Sequence, residues 1–414
     1  MLEQYFQQHH AETLRSRPLG RYLDSFTNAL EQAGYAPTTI RTELRLLADL
    51  DEWLEWSGRT ATDLDQHGLK VFLAARRRRH RRHRVDRPTL RHFVEHLQRQ
   101  GVIAMSAAGP TEETAMQKLE RRYESYLRKE RGLNAKTIEN HRLLIRRFLL
   151  EHFGKEPLRL EALQAADVSR FIIKNHRCIG AKYAQAMVAA LRSFFRFLVL
   201  EGESSIDLTS SIPTVPCWRN ATVPKYVSDV EVEQILASCD RRTSVGRRDY
   251  AVLLLLARLG LRAGEVARLK LNEIDWRAGE IHVLGKGQVR DHLPLLAEIG
   301  QALVEYLRRD RPGSSCRHVF LRAIAPRRGF ASPNTVSTIV QRAIERAGLQ
   351  PPFKGAHVLR HSLATKLLRR GASMVEIAEI LRHRNTATTE IYAKVDLQSL
   401  RALARPWAAM GGMR

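Results

Sequence analysis

The front half of the chain repeats itself at a constant offset of 98 residues. The segment Gly34-Tyr35-Ala36-Pro37-Thr38-Thr39-Ile40 aligns with Gly132-Leu133-Asn134-Ala135-Lys136-Thr137-Ile138. In each copy a small polar turn precedes apolar residues at helical spacing, which is typical of a helix start followed by a buried face. Each copy also ends in a further helix that runs into a glycine, Gly101 or Gly202. The repeat predicts two similar four-helix modules by duplication, although any two helical hairpins share features at this level.

Two helix-breaking stretches divide the chain into parts. Residues 107–111 read Ala-Ala-Gly-Pro-Thr, and residues 210–224 contain three prolines. The sequence therefore predicts four parts in chain order: an extra N-terminal helical module over 1–105, a second helical module over 112–203, a linker over 204–224 and a third domain over 225–410.

The third domain is predicted to be mainly helical with one small sheet. Ser228-Asp229-Val230-Glu231 is typical of a helix start, and residues 248–261 form an apolar run typical of a buried helix. Short alternating runs between Ile274 and Leu295, broken at two glycine-containing turns, predict three antiparallel strands. The predicted fold class is mainly α with a small antiparallel β-sheet in the C-terminal domain.

The charge of the chain favours a polyanionic partner. There are 68 Lys and Arg against 44 Asp and Glu, which gives a formal net charge of +24. Nucleic acid is the expected partner of such a surplus. A membrane surface is the alternative, but we find no long amphipathic helix and no lipidation signal.

The N-terminus lacks the pattern of a signal peptide, the apolar run Ala251–Ala257 is too short to span a bilayer, and the four cysteines are scattered. We therefore expect a soluble cytoplasmic protein.

Six side chains in the last third predict a site that breaks a phosphodiester bond: Arg262, Lys286, His357, Arg360, His383 and Tyr392. Arginine donates two parallel hydrogen bonds to phosphate oxygens and keeps its charge, which suits Arg262 and Arg360. Lys286, at the tip of a predicted hairpin, can protonate a leaving oxygen. The Tyr392 hydroxyl can attack phosphorus, but a tyrosine titrates near 10 and needs a base, for which we predict His357. Taken singly, each residue has an ordinary surface or packing explanation, and only their joint order favours a site.

Residues 225–395 resemble the tyrosine recombinases, the family of phage-type integrases and Xer-type recombinases. The resemblance rests on Gly260-Leu261-Arg262-Ala263-Gly264-Glu265, the hairpin lysine, His357-Val358-Leu359-Arg360-His361-Ser362-Leu363-Ala364-Thr365 and Thr389-Glu390-Ile391-Tyr392. It implies that Arg262 and Arg360 clamp the scissile phosphate and that Lys286 is the general acid. It further implies that His357 and His383 assist and that Tyr392 forms a 3′-phosphotyrosine link, with no metal and no cofactor. Residues 116–202 resemble the SAM-like core-binding domain of this family.

Two features depart from the family pattern. Arg382 stands before His383 where family members usually carry glycine, and we expect its side chain to point outward or to add a phosphate contact. The N-terminal module over 1–105 is additional. Within it, residues 76–84 hold seven arginines and two histidines. A solvated loop is the ordinary explanation for such a run, but we predict contacts to the DNA backbone by Arg76, Arg77, Arg78, Arg79, Arg81, Arg82 and Arg84.

The predicted function is site-specific DNA recombination on double-stranded DNA, by an enzyme of a mobile element. The family resemblance implies a homo-tetrameric synapse, with or without sister recombinases. One alternative is a non-catalytic DNA-binding protein of the same fold. Another is a type IB topoisomerase-like enzyme that relaxes supercoils with the same site. The apolar tail after Tyr392, with Leu397, Leu400 and Leu403, packs on its own core or on a neighbouring subunit, and the sequence does not decide between them.

Overall fold

The structure is a computed structural model that describes residues 1–79, 86–103, 114–154, 157–176, 180–204, 207–215, 223–285, 290–385 and 388–395. The chain forms two compact units. One unit contains Met1–Met105 together with Thr222–Arg414, and the other contains Ser106–Ala221. The predicted fold class is confirmed, because the described residues are mainly helical and form one three-stranded antiparallel sheet.

In its described residues, the first module has five α-helices around an apolar core. They are α1 (Gln8–Ser16), α2 (Gly20–Gln32), α3 (Pro37–Ser57), α4 (Gln66–Arg79) and α5 (Asp86–Arg99). The core contains Phe26, Leu47 and Phe93, all fully or almost fully buried. The aromatic rings of Phe26 and Phe93 pack edge to face at 5.1 Å, a favoured geometry for such pairs.

In its described residues, the second module has four α-helices, which correspond in chain order to α2, α3, α4 and α5 of the first module. They are α6 (Ala115–Lys129), α7 (Ala135–Phe153), α8 (Ala165–His176) and α9 (Ala181–Leu200). Gly34 and Gly132 precede the matching helices α3 and α7, and both have positive φ, at 80° and 58°. The predicted count of four helices is thus correct for the second module, whereas the first has α1 in addition.

Part of the predicted linker belongs to the second module. The chain forms a 3₁₀ turn at Leu208–Ser211, and the side chains of Leu208 and Ile212 are buried in the core of this module. The same core contains most of the apolar surface of α9. Within α9, the stretch Lys182–Leu200 is long and apolar enough to cross a membrane, but 56% of it is buried inside the protein, as in a core helix.

The third domain surrounds a central apolar helix. Its helices are α10 (Asp229–Ala237), α11 (Ser244–Leu259), α12 (Ala263–Arg268), α13 (Ala297–Arg309), α14 (Pro333–Arg346), α15 (His357–Arg369) and α16 (Met374–Ile380), and a 3₁₀ helix spans Glu390–Val395. Residues 251–256 of α11 are entirely buried. The predicted start of α10 is confirmed, because Ser228 and Glu231 form a reciprocal capping box.

The sheet lies beside this helical core. Its strands are β1 (Ile274–Asp275), β2 (Glu280–Leu284) and β3 (Arg290–Pro294), in the order β1-β2-β3 and antiparallel throughout. Ile281 and Val283 of β2 are buried in the core. The tip of the β2–β3 hairpin, with Lys286, lies outside the described residues.

The first module contacts the third domain within their common unit. The backbone N–H of Arg327 donates a hydrogen bond of 2.8 Å to the carbonyl oxygen of Ala33. Next to it, Gly34 lies so close to Arg327 that a Cβ atom on Gly34 would come within 2.4 Å of the Arg327 Cδ atom. The turn between α2 and α3 therefore forms part of this contact.

Candidate active site

Arg262 is positioned by the break between α11 and α12. Gly260 ends α11 with φ at 58°, and Arg262 is the N-cap residue of α12. Glu265, whose residue surface is only 5% exposed, accepts hydrogen bonds of 2.8 Å from the Arg262 backbone N–H and from its Nη1 atom. The buried carboxylate thus fixes both the backbone and the guanidinium of this arginine.

Arg360 lies on α15 and is buried, with 4% of its surface exposed. Its Nη1 and Nη2 atoms donate to the carbonyl oxygens of Gly260 and Leu381. Burial, together with the charges of Arg262 and Arg382, lowers the pKa of Arg360 to about 10. The side chain can be buried because backbone carbonyls at the ends of two helices satisfy its donors.

The hydroxyl of Tyr392 contacts a histidine that the sequence analysis did not select. The Oη atom of Tyr392 lies 2.8 Å from Nδ1 of His361. Burial, with additional effects of His357 and Arg360, lowers the pKa of His361 to about 4. His361 is therefore neutral at pH 7, and in the tautomer that carries its proton on Nε2 the Nδ1 atom accepts the hydrogen bond from the tyrosine. Its sequence position, four residues after His357 on one helix face, was a usable signal.

Tyr392 itself is buried, with 2% of its surface exposed. Burial raises its pKa to about 12, although the charge of Arg360 acts in the opposite direction. The tyrosine is thus protonated and covered in this structure.

His357 lies at the start of the helix that also carries Arg360 and His361. It is the first residue of α15, and it is exposed. Partial burial of the ring and the charges of Arg360 and Arg262 lower its pKa. The Tyr392 hydroxyl is bonded to His361 and not to His357 in this structure, so the role of His357 as its base stays a prediction.

His383 follows α16 and is held by the segment that carries the tyrosine. Its Nδ1 atom lies 2.7 Å from Oγ1 of the fully buried Thr389. The backbone N–H of Tyr392 donates to the carbonyl of Thr389 at 2.9 Å. Burial and the charges of Arg360 and Arg262 lower the pKa of His383 to about 4. Thr389 thereby connects the predicted histidine with the predicted nucleophile.

Arg382 takes neither of the two directions that we expected. Its side chain is 7% exposed and its Nη2 atom donates to Glu265 Oε2 at 2.8 Å. Its carbonyl oxygen accepts a hydrogen bond of 3.1 Å from Nη2 of Arg262. The side chain points inward because a buried carboxylate is available there.

The structure brings Arg262, Arg360, His383 and Tyr392 to one place, with His357 at its edge. Lys286, by contrast, lies outside the described residues. Of the arginine run, Arg81, Arg82 and Arg84 also lie outside them, as do the side chains of Arg78 and Arg79.

The remaining two arginines of that run differ from each other. Arg77 is exposed. Arg76 is 13% exposed and forms ion pairs of 2.9 Å with Asp49 and Asp86. These pairs give Arg76 a structural role within the first module, which differs from the predicted contact to DNA.

The comparisons with known proteins agree with this geometry. Residues 225–399 match the phage integrase family, and residues 121–202 match the N-terminal SAM-like domain of phage integrases. A protein of Sinorhizobium fredii that is named as an integrase/recombinase is 40% identical over 397 residues, which cover 94% of this chain and 95% of the relative. The tyrosine recombinase XerD of Mycobacterium tuberculosis is 32% identical over 304 residues, 69% of this chain and 94% of XerD.

The chain belongs to the tyrosine recombinase family. Members of this family cleave and rejoin DNA, so this tyrosine recombinase is an enzyme of site-specific recombination. Among solved structures, the XerH recombinase bound to its palindromic difH substrate aligns with a TM-score of 0.55 at 23% identity and covers 70% of this chain and 85% of XerH. That likeness shows the same fold. The resemblance inferred from the sequence is thereby confirmed.

Proposed function

We propose that this recombinase cleaves double-stranded DNA with Tyr392 as the nucleophile, which forms a 3′-phosphotyrosine link. The observation that supports this assignment is the 2.8 Å contact between the Tyr392 hydroxyl and the neutral imidazole of His361. A nucleophile paired with a base within hydrogen-bond reach is the arrangement that hydroxyl attack requires. His361 accepts the phenolic proton as the oxygen bonds to phosphorus.

Arg262 and Arg360 hold the scissile phosphate in this proposal. Arg262 and Arg360 are fixed by Glu265 and by backbone carbonyls, so their charges are positioned before the substrate arrives. Fixed donors stabilise the charge that develops on the phosphate oxygens in the transition state. His357 and His383 border the same space, and Lys286 protonates the departing 5′ oxygen.

Because Tyr392 is only 2% exposed, the 3₁₀ helix Glu390–Val395 has to shift when DNA binds. The described arrangement is a resting one, in which burial keeps the phenol protonated. Because the phenol becomes available only after DNA binds, cleavage does not occur in the absence of a bound site.

DNA is the expected partner for two further reasons. The net charge of +24 favours a polyanion, and the similar XerH recombinase is described as bound to its difH substrate. We extend the proposal to a homo-tetrameric synapse, since exchange between two duplexes involves four cleaved strands. We also propose a cytoplasmic location and a mobile element as the source of the gene.

A covalent-capture experiment tests the assignment of the nucleophile. The full chain is incubated with a random duplex pool, and DNA that becomes covalently attached is sequenced to obtain the site. A nicked duplex of that site then traps the cleaved complex. We expect covalent complex with the wild type and none with Tyr392→Phe. Tyr226→Phe, which loses a hydroxyl bonded to Arg369 in the same domain, serves as the matched control and should remain active.

Two outcomes would contradict the proposal. Covalent complex with Tyr392→Phe would place the nucleophile elsewhere, and no complex with the wild type on any sequence would remove the catalytic assignment. A plasmid with two copies of the site then separates strand exchange from simple relaxation, because only a recombinase changes the order of the flanking segments. Cross-linking on the same DNA measures whether four subunits assemble.

A further inference from the structure

Arg382 has a strained backbone at the centre of the site. Its φ is 54°, and it is the sole non-glycine residue with positive φ in the described part of the chain. A left-handed conformation costs a residue with a Cβ atom about 1–2 kcal/mol. Such strain persists where the surroundings over-determine it, and it clusters at functional sites. A glycine would remove the strain, so the side chain of Arg382 must contribute something that a glycine cannot.

The guanidinium of Arg382 is connected to Arg262 through a shared carboxylate. Glu265 accepts from Arg382 Nη2 through Oε2 and from Arg262 Nη1 through Oε1, both at 2.8 Å. The carbonyl of Arg382 accepts a second bond from Arg262. Any movement of Arg382 is therefore transmitted to the arginine that is proposed to hold the phosphate.

The other donors of Arg382 are unused. Its Nε and Nη1 atoms are buried and have no hydrogen-bond partner among the residues that the structure describes. Orphaned buried donors of this kind are costly and call for an explanation. The Oδ2 atom of Asp291 lies 4.0 Å from Nε, which is too long for a hydrogen bond but requires a shift of only about 1 Å to become one.

Asp291 lies on β3, opposite Val283 of β2. Val283 precedes Lys286 by three residues in the chain. A closed contact between Asp291 and Arg382 would fix this hairpin relative to Glu265 and Arg262.

We propose that Arg382 is a positioning residue that couples the β2–β3 hairpin to Arg262, by closing its unused Nε donor onto Asp291 when DNA binds. The contact fixes β3 relative to Arg262, and it would thereby support Lys286, which the chain carries between β2 and β3, in its proposed role. This inference rests on the proposed function of Lys286 as the general acid. It concerns a residue that touches other protein groups and not the reacting atoms.

A leaving-group experiment separates positioning from a merely structural role. Single-turnover cleavage is measured on two nicked duplexes, one with the natural 5′-bridging oxygen and one with sulfur at that position. A thiolate leaves without a proton, since a thiol titrates near 8.5, so the sulfur duplex does not need the general acid. The variants are Arg382→Gly, which suits the observed φ, Asp291→Asn, which keeps the side-chain shape, and the double variant. Lys286→Ala is the reference for loss of the acid.

We expect each single variant to slow cleavage of the oxygen duplex by about tenfold or more, and the double variant to be no slower than the slower single one. On the sulfur duplex Asp291→Asn should return to within about twofold of the wild type, as Lys286→Ala does. Arg382→Gly and the double variant should recover only in part, because they also remove the contact with Glu265 that supports Arg262. Additive effects of the two substitutions on the oxygen duplex, or a defect of Asp291→Asn that persists on sulfur, would overturn the proposal.

The proposed function can fail separately in the same experiment. If the cleavage rate of Lys286→Ala is not restored on the sulfur duplex, Lys286 is not the general acid and the proposed coupling is wrong as well. If the rate of Lys286→Ala is restored but that of Asp291→Asn is not, Lys286 remains the general acid and only the coupling is wrong.

A second, independent feature lies on the outward face of the same hairpin. His282 of β2 and His292 of β3 are directly opposite each other in the sheet, with ring centroids 4.3 Å apart. The Oε2 atom of Glu280 lies 3.2 Å from Nδ1 of His292 and 3.6 Å from Nε2 of His282. Glu280 and His282 are two residues apart on one strand and thus share a face.

These distances fit a transition-metal ion. Ligand bonds of about 2.0–2.1 Å in a tetrahedral Zn²⁺ site place the ligand atoms about 3.3 Å apart. The potential ligand atoms of Glu280, His282 and His292 all lie within 4.8 Å of one another. Two imidazoles and one carboxylate are also a known ligand set for Zn²⁺ with an open fourth position. We infer that this face binds Zn²⁺, with the ion bridging β2 and β3.

Titration of the full chain with Zn²⁺ tests this site. We expect saturable binding of one ion that is weakened at least about tenfold in His282→Ala and in His292→Ala, since each removes one of three ligands. His318→Ala is the control, because His318 contacts Cys316 and is not one of the three candidate ligands, and it should retain this binding. Equal affinity and stoichiometry in the wild type and in a double variant of His282 and His292 would overturn the site, and the short contacts would then be ordinary His–Glu hydrogen bonds.

Discussion

At the scale of single residues, the proposed proton acceptor gives the sharpest prediction. His361 contacts the Tyr392 hydroxyl at 2.8 Å, whereas His357 lies at the exposed start of the same helix. We expect His361→Ala to slow formation of the covalent complex by about a hundredfold or more, because general-base assistance has that size. His357→Ala should slow formation of the covalent complex less than His361→Ala does. Single-turnover rates on the nicked duplex measure both, and the reverse order of the two defects would contradict the assignment.

The lowered pKa of His361 also predicts how the stability of the chain depends on pH. Its pKa is about 4 in the folded chain against an ordinary 6.5. Between these values the unfolded state binds the proton and the folded state does not. The contribution of His361 to stability is therefore complete above pH 6.5 and is lost as the pH falls toward 4, by at most about 1.4 kcal/mol per pH unit.

Urea unfolding of the full chain at pH 7, 6 and 5 measures this loss. His361→Asn keeps an acceptor oxygen near the tyrosine but does not titrate. The free energy of unfolding should fall more steeply with acid in the wild type than in the variant. Parallel pH dependence in the two proteins would show that His361 is not held neutral by burial.

At the scale of elements, the end of α11 determines where both arginines lie. Gly260 has φ at 58°, and an added Cβ would come within 2.9 Å of Leu381 and 3.0 Å of Leu363. Its carbonyl also accepts from Arg360. Gly348, after α14, has φ at 71° and nothing within 4 Å of an added Cβ. The two positions thus share the backbone conformation and differ in the space around it.

We expect Gly260→Ala to destabilise the chain by about 1–3 kcal/mol more than Gly348→Ala. Both substitutions introduce the strain of a left-handed backbone, but only the alanine at position 260 is also overpacked. Gly260→Ala should in addition slow cleavage, since Arg360 loses its position. Urea unfolding and covalent-complex rates measure the two effects. Equal destabilisation by the two substitutions would mean that the tight packing at Gly260 relaxes without cost.

The elements of the third domain were predictable because their signals are local. The capping residues Ser228 and Glu231 are three apart, and the strands alternate within a few residues. The roles of Arg382 and Arg76 were not predictable in this way. Glu265, the partner of Arg382, is 117 residues away in the chain, and Asp49, a partner of Arg76, is 27 away. A charged side chain takes its direction from such partners, and a single sequence does not reveal them.

At the scale of the whole molecule, the repeat provides a comparison within one chain. Gly34 and Gly132 are equivalent positions with positive φ in the two modules. An added Cβ at Gly132 would meet nothing within 4 Å, whereas one at Gly34 would meet the side chain of Arg327 in the third domain. The repeat predicted the two turns but could not predict that the first contacts the third domain, since the residues at that contact lie almost 300 positions apart.

This difference leads to a prediction about how the first module is held. Gly34→Val and Gly132→Val incur a similar backbone strain of about 1–2 kcal/mol, but only Gly34→Val disturbs the contact at Arg327. The N–H of Arg327 donates to Ala33 at 2.8 Å, so hydrogen exchange of a peptide over residues 322–328 reports on the contact directly. We expect faster exchange of this peptide in Gly34→Val and unchanged exchange in Gly132→Val. Unchanged exchange in both would mean that the first module is attached to the third domain through other residues, and equal acceleration in both would mean that general loss of stability, and not this contact, controls the exchange.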